Sequence, residues 1–153
     1  MSETSPYLEM PIETREKLKV EFSKVKQEIN NLITHVVLEQ EKMNFFYNLL
    51  NSQKEIQRVR NTLEKYDHHL ISKDLSEQDL IKAYQALCNW FQKFQKEMMR
   101  RYRQRQNLAD PRQPNLMVQA QLLDQASRHI NEIEFLLNKY NPTPDQSITS
   151  LQV

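Results

Sequence analysis

The stretch Leu18-Lys-Val-Glu-Phe22-Ser-Lys-Val25-Lys-Gln-Glu-Ile29-Asn-Asn-Leu32-Ile-Thr-His-Val36 decides the fold. Apolar residues return at steps of four and three, and the beat runs on through Glu39, Met43, Phe46 and Leu50. Nine of these ten positions are apolar, which is the repeat of an amphipathic helix packed as in a coiled coil. Val20, Ile33, Val37, Phe45 and Leu49 widen the stripe, as expected where a helix meets more than one neighbour. Glu39 is the exception, and a polar residue in such a seam sets register or pairs with a cation of another helix.

Downstream, the phase slips by one residue and resumes as Ile56, Val59, Leu63, Tyr66 and Leu70. Ser52 and Glu55 lie between the two seams with the spacing of a capping box, in which each side chain satisfies a backbone amide at a helix start. Slip and box favour a break at 51–53. A helix continuous through this point, with a kink, is the alternative. Ser76 and Asp79 form a second box, flanked by Leu75 and Leu80 at the spacing of a hydrophobic staple. The third seam is Leu80, Tyr84, Leu87, Phe91, Phe94 and Met98, and the fourth is Leu116, Gln119, Leu123, Ala126, Ile130, Ile133, Leu137 and Tyr140. Prolines at 111 and 114 separate these two.

These signals predict helices over 12–50, 53–71, 76–106 and 115–140, in an all-α, antiparallel up-down four-helix bundle with a long first helix. A flexible leader over 1–11 precedes the single bundle domain of 12–140, and a polar, proline-marked and disordered tail over 141–153 follows it. The absence of glycine supports helices over sheets. It also excludes a P-loop, a dinucleotide-binding fingerprint and a G-x-S-x-G nucleophile elbow. At 1.5 Å per residue the first helix would be roughly 58 Å long and the second under about 30 Å. Part of the first seam would then project uncovered, with Phe45, Phe46 and Tyr47 as contact anchors. Two remedies suggest themselves: a break near Asn30-Asn31, or a partner that covers the seam.

The four histidines, His35, His68, His69 and His129, show neither the Glu-x-x-His spacing of di-metal bundles nor an H-x-x-x-H pair, so no metal or other cofactor is expected. Cys88, the single cysteine, lies beside the third seam and reads as a small core residue. Nothing here points to catalysis, and no small-molecule substrate is expected. The chain carries no signal peptide and no apolar run of about 18 residues, so no membrane span is expected, and the protein reads as soluble and cytoplasmic or otherwise intracellular.

The functional expectation is a non-enzymatic helical protein–protein interaction module: an adaptor, an assembly subunit or a dedicated chaperone. Leu18, Phe22, Val25, Ile29 and Leu32 would form its partner-binding seam, facing a partner helix or, in a homodimer, a second copy. The alternative rests on residues 93–112, where Lys93, Lys96, Arg100, Arg101, Arg103, Arg105 and Arg112 stand against Glu97 and Asp110 in a chain of net charge +1. Such a patch could bind nucleic acid or another anion. A solvated or internally paired helix end is the competing reading, since cations favour helix C-termini.

Overall fold

A computed structural model describes residues 10–40, 48–71, 75–106 and 115–140, with the side chains of residues 39, 40 and 71 outside that set. Four helices are present: α1 (Ile12–Gln40), α2 (Gln53–Ile71), α3 (Glu77–Gln106) and α4 (Asn115–Tyr140). Cross-helix bonds fix their directions. Thr14 at the start of α1 meets the Tyr140 hydroxyl at the end of α4 at 3.3 Å, and Glu21 meets His129 at 2.7 Å. Gln92 donates to Glu134 at 2.5 Å and Ser127 to Gln95 at 3.2 Å between α3 and α4. Lys26 and Asp67 join α1 to α2 at 2.6 Å, and the Tyr66 hydroxyl donates to the Ala86 carbonyl between α2 and α3 at 3.2 Å. The bundle is therefore antiparallel and up-down, as expected. α4 packs most extensively, against α1 and α3, and α2 is the least embedded helix.

Both capping boxes start their helices. Ser52 Oγ accepts the Glu55 amide at 3.1 Å, and Glu55 reaches back to the Asn51 amide at 2.8 Å. Ser76 Oγ accepts the Asp79 amide at 3.2 Å, with Leu80 buried and Leu75 half-buried against the core. Each amide is one that the first helical turn cannot satisfy itself.

Three expectations need correction. First, the first helix does not extend to Leu50. α1 has 29 residues, roughly 43 Å, and Asn48-Leu49-Leu50 is non-helical. The break before α2 is real, and the continuous kinked helix is not formed. α1 passes through Asn30-Asn31 without interruption. Second, the first seam is interior. Leu18, Phe22, Val25, Ile29 and Leu32 are each 0 % exposed, inside the core that α1 forms chiefly with α4. The partner they were expected to meet in trans is supplied in cis, chiefly by α4. Third, Met10 belongs to the bundle and not to a leader. It is buried, and its amide donates to the Glu77 carboxylate at the start of α3. The rest of the expected leader (1–9), the tail (141–153), Phe45, Phe46 and Tyr47, Arg112, and the Glu39 side chain lie outside the described residues.

Candidate functional site

Cys88 lies in the core, and His129 meets Glu21 across α1 and α4. The Cys88 thiol is buried and points to the Ile130 carbonyl at 4.0 Å. Burial, and secondarily the charge of Glu134, push its pKa up to about 12, which favours the protonated thiol at neutral pH. Among the described residues no group of three His, Cys, Asp or Glu could hold a metal ion, and no helix is long and apolar enough to cross a membrane.

The polar chemistry gathers at one end of the bundle, where α1, α2, α3 and α4 meet. The non-helical Asn48-Leu49-Leu50 segment is buried there, and its backbone groups have no helix to pair with. An unpaired buried carbonyl or amide costs about 1–3 kcal/mol, so partners must come from elsewhere. Gln119, 0 % exposed in the α4 seam, accepts the Leu49 amide at 2.8 Å and donates to Asn48 Oδ1 at 2.8 Å. Arg105 donates to the carbonyls of Asn48 and Leu49. Arg101 donates to the Leu49 carbonyl at 3.0 Å and grips Glu55 through two nitrogens at 3.0 and 2.6 Å. Its Nε adds Glu97 at 3.0 Å. Glu55 thus caps α2 and ties it to α3 in the same contact.

The expected basic patch is divided by this arrangement. Arg101 and Arg105 clasp the connector, and Arg100 is held by Glu97 at 2.5 Å. Lys93, Lys96 and Arg103 remain exposed. The arginines were legible as exceptions. Counting on from Met98 by three and then four gives Arg101 and Arg105, on the same phase as the third apolar seam.

Charge strengthens the clasp. Burial alone would raise the Glu55 pKa, but the Arg101 bonds, the Asn51 amide and the nearby Arg101 and Arg105 charges outweigh it, and the net shift is downward. Hydrogen bonds from Arg100 and Arg101 bring Glu97 to about 2. Both acids bind a proton less readily in the fold than in the open chain. Their contribution to stability is therefore complete above the ordinary value of 4.5 and is lost as pH falls toward about 2. Titrating the melting temperature down through this window should show a steeper loss for the wild type than for Glu55→Gln, in which one of the two protons has nowhere to bind. Parallel curves would detach these carboxylates from acid sensitivity.

Beside the clasp, α2 and α3 line an open groove of about 310 Å³. Its floor is apolar: Leu50, Val59, Trp90, Phe94 and Met98. Trp90 and Phe94 stack in parallel at 5.2 Å and 10°, both half-buried, and Tyr66 closes on Trp90 at 6.4 Å. Arg58 on α2 and Lys93 on α3 stand on opposite rims. Trp90 lies one residue before the seam residue Phe91, and periodicity gives no sign that α2 leaves it partly uncovered, since that depends on how the two helices pack. A second groove, on the outer side of α3 and α4, is lined by Met99, Tyr102 and Met117.

No known protein family matches this chain, and neither a curated protein nor a solved structure is similar to it.

Proposed function

We propose that the chain is a non-enzymatic helical protein–protein interaction module (an adaptor, assembly subunit or dedicated chaperone) whose partner-facing surface is the α2–α3 groove. The observation that carries this reading is the half-buried Trp90–Phe94 stack at the floor of an open, apolar cleft. Aromatic anchors in partly desolvated pockets dominate the energetics of protein interfaces. A cleft of this size is at the lower limit of small-molecule pockets and is open along one side, which suits a segment of another chain better than an enclosed ligand. The module reading keeps the class expected from the sequence and moves its contact surface from α1 to α2 and α3. Nucleic acid is the weaker alternative, because Arg100, Arg101 and Arg105 are already engaged within the fold.

Cross-linking in cells, followed by purification at low and at high salt, tests this. Wild type, Trp90→Ala and the control Met117→Glu, whose site is exposed on α4, are compared after circular dichroism confirms that each is folded. A protein retained by wild type and Met117→Glu at both salt concentrations, and lost with Trp90→Ala, is the expected result. Light scattering on the purified wild type should give a monomer. A dimer dispersed by Trp90→Ala would assign the groove to a second copy. Retained nucleic acid that disappears at high salt, or proteins indifferent to Trp90, would overturn the reading.

A further inference from the structure

Resting on the reading above, the geometry points to the chemistry of the partner: we infer that the α2–α3 groove takes an amphipathic helix whose apolar face is flanked by acidic residues. Three observations lead there. The accessible floor on the α3 side is the half-buried pair Trp90 and Phe94, one step of four apart, with Met98 buried beneath it. Such a row lies along one flank of a helix, so it presents a linear furrow between α2 and α3. From residue 90 to residue 94 the accessible row rises roughly 6 Å, about one helical turn. An occupant would therefore present one or two large apolar residues, spaced by a single helical turn.

The charges on the two rims decide its flanks. Five charged residues line the groove: Glu55, Arg58, Lys93, Glu97 and Arg101. Both acids are consumed, Glu55 by Arg101 and Glu97 by Arg100 and Arg101. Arg58 and Lys93 are exposed, and neither has an ion pair among the described residues. They lie on opposite walls. The surface left to a visitor is an apolar floor between two cations that no described acid pairs with. A helix with basic flanks would meet like charge on both sides, and one with acidic flanks would meet opposite charge on both. The same two cations orient the visitor, since only its acidic edges can face the walls while its apolar face meets the floor.

Trp90 is the only tryptophan in the chain, so its emission reports the groove directly. The probes are two synthetic helical peptides with the same leucine stripe, one flanked by glutamates and one by lysines. The proteins are wild type, the double variant Arg58→Glu/Lys93→Glu, and Arg128→Glu, a control at an exposed position on α4. All three substituted side chains are at the surface, so the variants should fold. The acidic peptide should shift the Trp90 emission of wild type saturably. The double variant should bind it at least about tenfold more weakly and accept the lysine peptide instead, while Arg128→Glu changes neither. Equal binding of both peptides by wild type, or binding of neither, overturns the inference about charge. The two readings fail separately. If the cross-linked partner depends on Trp90 and the acidic peptide does not bind, the charge inference falls and the module stands. If no partner depends on Trp90, the module itself falls.

Discussion

Val25→Asp should leave the chain unfolded: the helical circular dichroism signal and the cooperative melt should both disappear. Val25 is 0 % exposed, at the middle of the α1 seam. Removing its burial forfeits about 1.5–3 kcal/mol, and an aspartate in its place adds the several kcal/mol needed to bury an unpaired carboxylate or to protonate it. Together these approach the whole stability of an ordinary domain, about 5–15 kcal/mol. Val20→Asp is the matched control. It lies on the same helix, five residues away, but half of its surface faces solvent. Its melt should stay within about 0.5 kcal/mol of wild type. The pair discriminates between core and interface. A seam that served only to bind a partner would give a folded Val25→Asp monomer with altered assembly mass. A seam that is the core gives no folded monomer at all.

The contrast between those two outcomes also marks what the sequence could convey. Periodicity identified which residues avoid water, and all five seam residues do. It could not identify what they avoid water against, because a helix of the same chain and a helix of another chain present the same apolar surface. The decision turned on the length of α1, and length was where the pattern misled. Leu49 and Leu50 continue the heptad phase beyond Glu39, yet they are buried from a non-helical segment. Two adjacent leucines satisfy a seam count whether or not the backbone between them is helical. The starts of α2 and α3 were legible because Ser52, Glu55, Ser76 and Asp79 act locally, within one turn of themselves. No comparable stop signal announces the non-helical segment at Asn48, as glycine, the usual one, is missing from the chain.

Lack of glycine also explains why the connector is built as it is. A glycine turn can run over the surface with its backbone in water. Here Asn48, Leu49 and Leu50 are drawn inward, and distant side chains complete the hydrogen bonds that the segment itself cannot make. Gln119, Arg101 and Arg105 are polar residues on apolar phases of α4 and α3. Taken singly, each breaks its seam. Taken together, they mark the level at which α1 has already ended. The candidate groove inherits its shape from the same device, since Leu50 forms part of its floor and the Glu55–Arg101 pair closes one of its ends.

Gln119→Leu tests whether the clasp is a unit. The substitution keeps the volume and improves the apolar match, so on packing alone it should stabilise. It also strips the Leu49 amide of its acceptor and takes from Asn48 Oδ1 the Gln119 bond. With about 1–3 kcal/mol for each buried group so deprived, a net loss of about 2–4 kcal/mol is expected, which lowers the melting temperature by roughly 6–12 °C in a chain of this length. Arg105→Met removes its bond to the Asn48 carbonyl and one of the two arginine donors to the Leu49 carbonyl, and should destabilise as well. The informative quantity is the double variant. If the two side chains hold one connector, its release by the first substitution leaves the second with less to lose. The combined loss should then fall short of the sum by about 1 kcal/mol or more. Strict additivity would mean that Gln119 and Arg105 stabilise independent contacts. The connector would then be held by the burial of Leu49 and Leu50 alone, with the arginines merely attending it.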